Sequence, residues 1–303
     1  MRSILTFDLH LDDRPSDIDT CVGRLESVGW RASFFVPTSM LDLPSFHGPL
    51  RSLAARGYEL GTHSHHHDRT EIAALRGGDR KALGFLERSA KAFEDFFGEP
   101  PRIFRSPCWA HMSSEALDEL ARLGYHADSS CTPQRPGVLS SFPYDNRHLL
   151  LPRAPRFVRP GLLEVPTSTL LVPLGWPTFC TLRRRGSVFL TSLLALEAAM
   201  RYSLVLVGQF HISDLAPGGE ELPRVKRHWR DLIPRARGGI AARRWLRLTD
   251  RERVAGISVA VMSRMARGEL TSFAAVRAEA MLAMRRPVER EVEEFVAPSH
   301  VAP

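Results

Sequence analysis

The 303-residue chain has almost no lysine. Of its 41 basic residues only Lys81, Lys91 and Lys226 are lysines, so arginine carries the net charge of +7. That skew can reflect nucleotide bias. It comes without a zinc finger, an RNP box or a basic region followed by heptads, so nucleic acid is not an expected partner. Cysteine is also scarce. Cys21, Cys108, Cys131 and Cys180 show no CxxC spacing, which points to free thiols in a cytoplasmic protein. Long apolar runs are missing too. The longest, Ser187 to Leu196, is too short to span a bilayer and is followed by Glu197. The N-terminus, Met1 to Asp8, enters a strand pattern at once, without the apolar core of a secretory signal. No internal repeat is found. With 44% hydrophobic and 25% charged residues, the composition is that of an ordinary soluble protein.

Strand-like and helix-like segments alternate along the chain. Ile4–Asp8 reads as a buried strand ending in a carboxylate, and Ser16–Val28 as a helix capped by Ser16 or Asp17. Gly29–Pro37 reads as a second strand stopped by proline. Pro49–Arg56 is expected as a short helix closing at Gly57, and Thr70–Phe97 as one long amphipathic helix interrupted near Gly77-Gly78. Ile103–Arg105, Tyr125–Ser129, Leu162–Pro166 and Leu204–Val207 follow as strands, with helices over Ser113–Leu123 and Ser187–Arg201. Residues 131–160 read as a long loop over a site. The alternation predicts an α/β fold with a mostly parallel sheet. The expected division is a domain over 1–220, an arginine-rich helical extension over 221–286 and a disordered tail over 287–303. The basic helices could rest on an anionic membrane surface.

The stretch Gly57 to His67 concentrates the chemistry. His63 and His67 are four residues apart. If the turn after the strand continues as helix, both imidazoles lie on one face and can reach one metal ion. Asp8, His10 and Asp12 have a period of two and share a side if the first strand stays extended. Taken singly, Asp8 could cap a turn, Arg105 could pair with a surface carboxylate, and His211 could be a core histidine.

Four separated segments resemble one family. Thr6-Phe7-Asp8 is similar to the first motif of the polysaccharide deacetylases (NodB homology, carbohydrate esterase family four). Gly61 to His67 resembles the H-[ST]-x-x-H metal motif, and Phe104-Arg105-Ser106-Pro107-Cys108-Trp109 the R-x-P motif. Phe210-His211 after an apolar strand resembles the last motif, and Gly29–Val36 a family strand. The resemblance covers about residues 3–215. It implies a distorted, incomplete (β/α) barrel of about seven mostly parallel strands, with the site at the strand C-termini.

The implied reaction is metal-assisted hydrolysis of an amide, most often an N-acetyl group on an amino sugar, glycan precursor or glycolipid. Other C–N hydrolysis (of a formyl group or a ureide) and a non-catalytic binding module are the alternatives. The resemblance makes Asp8 the base, Arg105 its partner and His211 the acid. It makes His63 and His67 ligands of a divalent metal, expected to be zinc, with cobalt or nickel as substitutes. Backbone N–H near Cys108 would stabilise the oxyanion, and Trp109 would contact substrate. Asp128 or Asp214 would fix the His211 tautomer. The family's second aspartate, a metal ligand, is here Leu9. The third ligand would then be His10, with Asp12 as the alternative; a three-histidine set is sound for zinc.

Overall fold

The computed structural model describes residues 1–136, 147–201, 203–216 and 251–296. In chain order the elements are β1 (Arg2–Asp8), α1 (Pro15–Ser27), β2 (Ser33–Val36), α2 (Pro44–Ala55), β3 (Glu59–Thr62), α3 (Arg69–Gly77), α4 (Gly84–Phe97), β4 (Ile103–Phe104), α5 (Ser114–Arg122) and β5 (Ala127–Asp128). Then come β6 (Arg156–Arg159), β7 (Leu162–Glu164), β8 (Thr169–Leu170), β9 (Val172–Pro173), α6 (Trp176–Met200), β10 (Val205–His211), α7 (Arg251–Met265), β11 (Glu269–Leu270) and α8 (Phe273–Val296).

Among these residues one sheet runs β10-β1-β2-β3-β4-β5-β7-β6. Every neighbour pair is parallel up to β7, which makes seven parallel strands, and β6 closes the edge antiparallel to β7. The sheet curls into an open half-barrel, the expected incomplete (β/α) barrel. Strands covered on both faces should be apolar throughout, and β1 obeys: Ile4, Leu5 and Phe7 are fully buried. Its polar exceptions are satisfied. Ser3 donates to the Met265 carbonyl and Thr6 to the Gly208 carbonyl.

Parallel register carries the strand ends to one rim. Asp8 pairs with His211 across β1 and β10, and Thr62, Phe104, Asp128 and Glu164 form a continuous row across β3, β4, β5 and β7. One residue below the first pair, Phe7 and Phe210 lie 5.7 Å apart, with Phe34 on Phe7 at 5.3 Å and Phe179 on Phe210 at 5.5 Å. Each such ring pair contributes about 0.5–1.5 kcal/mol beyond its burial. Asp8 and His211 therefore stand on a packed aromatic floor.

Several expected boundaries move. α1 begins at Pro15, whose fixed φ suits the first turn, and Arg14 rather than Ser16 or Asp17 precedes it. α2 begins at Pro44, and Pro49 lies inside it. The expected long helix is two, because Gly78 ends α3 in the left-handed conformation (φ 74°). Ser113 caps α5 by accepting from the Ala116 N–H, as its sequence suggests. The expected loop over 131–160 contains β6, and its residues 137–146 lie outside the described set.

Of the arginine-rich region, residues 217–250 lie outside the described set. The part that follows joins the same sheet and core. β2 covers only Thr6–Asp8 of β1, and β11 takes the same edge at Arg2 and Ser3. Val254, Ile257, Val261 and Met265 of α7 are buried in the core beneath β1. Glu59 accepts from the N–H groups of Phe273 and Ala274 at 3.0 and 2.9 Å, filling the open donors at the start of α8. The stretch expected as a disordered tail falls partly on α8 and partly outside the described residues.

Candidate active site

Asp8 ends β1 and meets Arg105, the residue that follows β4. Arg105 is fully buried. Its Nη1 donates to Asp8 Oδ1 at 2.8 Å and to Thr6 Oγ1 at 2.7 Å. Its Nε and Nη2 donate to the carbonyl and hydroxyl of Ser129 at 3.2 and 3.0 Å. Its Cζ lies 4.2 Å from the centre of the Phe35 ring. A buried guanidinium with each nitrogen paired orients a carboxylate tightly.

His63 follows β3 and is buried beside this pair. Its Nδ1 bonds the Arg105 carbonyl at 2.9 Å, so that nitrogen carries the proton in the neutral ring. Nε2 is left toward the cavity, 3.9 Å from Asp8 Oδ2. The chain does not continue as helix. Ser64 and His67 both take left-handed φ values (69° and 58°) and fold the segment back. The i,i+4 helical premise is thus wrong, yet the two rings lie 4.6 Å apart. The buried Glu71 holds this loop: its carboxylate accepts from the Ser64 hydroxyl and from the N–H groups of His66 and His67. Asp68 caps α3 through the Glu71 N–H at 2.9 Å. The D-x-x-E spacing of Asp68 and Glu71 was the available signal for this acid.

β1 ends at Asp8, so the extended run through Asp12 does not form. Leu9 turns into the core, and His10 swings over the site. Its ring lies 4.9 Å from that of His67, 6.2 Å from His63 and 4.6 Å from His211. The backbone N–H of His10 is fixed by Asp13 Oδ2 at 2.6 Å. Ligand atoms of His10, His63 and His67 lie within 4.8 Å of one another. Asp12 is exposed; with Asp13 it forms a second such group around His10. Burial, reinforced by the neighbouring imidazoles, pushes His63 well below the usual histidine range and His67 down to about 4. His10 is lowered by burial against the opposing pull of Asp8. Neutral imidazoles are the form that binds a metal ion, so the donor set fits a divalent cation.

His211 ends β10, and burial lowers its pKa well below the usual range. Neither expected carboxylate bonds its ring among the described residues. Asp214 Oδ2 accepts from the His211 backbone N–H at 3.0 Å. Asp128 lies on β5, bonded to Ser130 and to Glu164. The ring instead accepts from the Asp214 backbone N–H and is stacked on Trp176 (5.0 Å, 20° between planes). The Trp176 indole bonds Asp214, and its backbone N–H donates to Gln209 Oε1 at 3.1 Å. The sequence reading missed Trp176 because its link to His211 runs through non-local pairing of Gly175 with Gln209.

A cavity of about 190 Å³ joins these groups. It is lined by Asp8, His10, His63, His67, Cys108, Trp109, Trp176, Pro177, Gln209 and His211. Cys108 and Trp109 both have left-handed backbone (φ 54° and 51°), which presents the Cys108 segment to the cavity wall. Gly175 permits the close approach of Trp109: a Cβ there would lie 2.5 Å from Trp109 Cη2.

Burial raises the Asp214 carboxyl to about 7. A carboxyl raised in the folded state contributes stability that is full below its ordinary value near 3.8 and lost as pH rises through about 7. Asp214→Asn should therefore gain stability relative to wild type between pH 4 and 7, and hold that gain above. Urea midpoints at pH 5 and pH 8 check this; parallel shifts of the two proteins would show that Asp214 does not ionise in that window.

Residues 2–127 match the family model described as "Polysaccharide deacetylase". No curated protein matches the chain in sequence. Among solved structures, the chitin deacetylase from the fungal pathogen Colletotrichum lindemuthianum is 12% identical. The match covers 91% of this chain and 86% of that one, at a TM-score of 0.50. Peptidoglycan deacetylase PdaC from Bacillus subtilis is 13% identical over 96% of each chain, with a TM-score of 0.47. A family 4 carbohydrate esterase from Streptomyces lividans is 12% identical over 89% of this chain and 91% of its own, with a TM-score of 0.46. The first of these shares the fold of the present chain. Over residues 2–127 the chain is thus similar to the polysaccharide deacetylase family, a family of hydrolases of non-peptide carbon–nitrogen bonds.

Proposed function

We propose that the chain is a metal-dependent N-deacetylase acting in the cytoplasm on an amino-sugar-containing glycolipid or glycan precursor. The observation that carries this reading is the Arg105–Asp8 pair set beside three neutral imidazoles, with His211 across the same small cavity. A divalent ion, zinc with cobalt or nickel as substitutes, would be held by His10, His63 and His67 and would acidify water and polarise the acyl carbonyl. Asp8 takes the proton of the attacking water, and Arg105 keeps that carboxylate aimed. The backbone at Cys108 is the proposed donor to the developing oxyanion. His211, neutral in its buried setting, takes up a proton and passes it to the departing amine, which cannot leave as an anion. Asp214 positions His211 directly, its carboxylate accepting from the His211 backbone N–H and its own N–H bonding the ring, with Trp176 stacked alongside. Trp109, whose indole Nε1 is buried without a hydrogen-bond partner among the described residues, is the proposed sugar contact. All of these groups fall within residues 1–220, the proposed catalytic unit. Contact with an anionic membrane is part of the same reading. Among the described residues no helix is long and apolar enough to cross one.

Acetate release from N-acetylated amino sugars and their lipid-linked forms tests the reading. Turnover of N-acetyl substrates above N-formyl and ureide ones supports it. Preference for formyl or ureide substrates would make the chain a different C–N hydrolase. No turnover of any of them by metal-loaded protein would leave a binding module.

A further inference from the structure

We infer that the outer face of α6 and α7 is a docking surface for an anionic phospholipid bilayer, which would bring the cavity to lipid-linked substrate. This rests on the deacetylase reading for the substrate but not for the contact itself.

α6 buries one face, through Ser187, Leu190, Thr191, Leu194 and Ala198. Its other face should be polar on a helix at the surface of a soluble protein. It is not. Phe189, Leu193, Leu196 and Met200 recur at helical spacing and are 65%, 38%, 58% and 71% exposed. Scattered exposed apolar residues are ordinary, but a continuous crest of large ones marks an interaction site. Beside this crest lies a groove of about 880 Å³ between α6 and α7, lined by Arg184, Arg185, Phe189, Val259, Arg264 and Arg267 among others. None of its described lining residues is acidic. Arg184, Arg185 and Arg267 have no carboxylate partner among the described residues, whereas Glu197, on the same helix, is already taken by Arg153 and Arg201.

An apolar crest flanked by arginines that have no carboxylate partner among the described residues is the pattern of a helix lying in a membrane interface. Acyl chains accept the crest, and anionic headgroups accept the guanidinium groups. The other occupants fit less well. A second copy in a two-fold interface would set arginines against arginines. A nucleic-acid backbone has no use for Phe189, Leu196 and Met200. The position also suits the chemistry: α6 begins at Trp176, which stacks on His211 in the cavity wall. Its docking face starts at Arg184, directly after the left-handed residue Arg183 (φ 57°) that kinks the helix.

The test is vesicle co-sedimentation of the full chain, with vesicles of phosphatidylcholine alone or mixed with phosphatidylglycerol. The expected result is at least about tenfold stronger binding to the anionic vesicles, weakened by salt. Phe189→Ser/Leu196→Ser/Met200→Ser and, separately, Arg184→Glu/Arg185→Glu should each lose that preference. Both should hydrolyse a water-soluble N-acetyl amino sugar as wild type does, which reports on folding and on the deacetylase reading apart from membrane binding. Equal binding to both vesicle types would overturn the proposal, as would binding that survives both variants. A wild-type dimer that ignores vesicles and is split by the triple serine variant would assign the face to a second copy instead.

Discussion

Asp8→Asn is expected to lower kcat on the order of 10²–10⁴-fold, the usual contribution of a positioned general base, while leaving metal content unchanged. The reason is geometric. Asp8 Oδ1 is committed to Arg105, and Oδ2 sits 3.9 Å from His63 Nε2, outside the three-imidazole set. Asn keeps the hydrogen bond from Arg105 but cannot take a proton. Substrate binding should change little, so kcat and kcat/KM should fall together. Steady-state kinetics with metal analysis of the same preparation decides the matter. Loss of metal in Asp8→Asn would move Asp8 from base to ligand.

Arg105→Ala should be the most destabilising single change in the site. Arg105 is buried completely and makes four hydrogen bonds to Asp8, Thr6 and Ser129. Its removal leaves the Asp8 carboxylate buried and unpaired. Breaking a buried pair on one side costs about 3–5 kcal/mol, a large share of the stability of an ordinary domain. Arg105→Lys should recover part of that loss but little activity, because an ammonium cannot reproduce the planar fork that reaches Asp8 and Ser129 together. Urea denaturation of the three proteins measures this. A loss below about 1 kcal/mol for Arg105→Ala would mean that the pair is solvated, contrary to the burial described.

The sequence was most legible where a polar residue follows an apolar strand. Asp8 after Ile4–Phe7, Arg105 after Ile103-Phe104 and His211 after Val205–Phe210 all stand on the rim because parallel strands end there. His63 and His67 were legible as a pair but for the wrong local reason. Left-handed Ser64 and His67, tied down by Glu71, bring the rings together without a helix. What could not be read was non-local. Trp176 reaches His211 only because Gly175 bridges Gln209 on β10. β11 joins β1 because β2 is too short to cover it, a vacancy that exists only once the sheet is built.

The most direct measurement is metal content per chain in purified wild type, His10→Ala and His63→Ala, paired with acetate release. About one divalent ion per wild-type chain, lost with activity in His63→Ala and weakened in His10→Ala, is the expected result. Full metal occupancy and activity in His63→Ala would contradict the proposed site. So would a metal-free wild type that hydrolyses N-acetyl amino sugars as fast as the same protein resupplied with zinc.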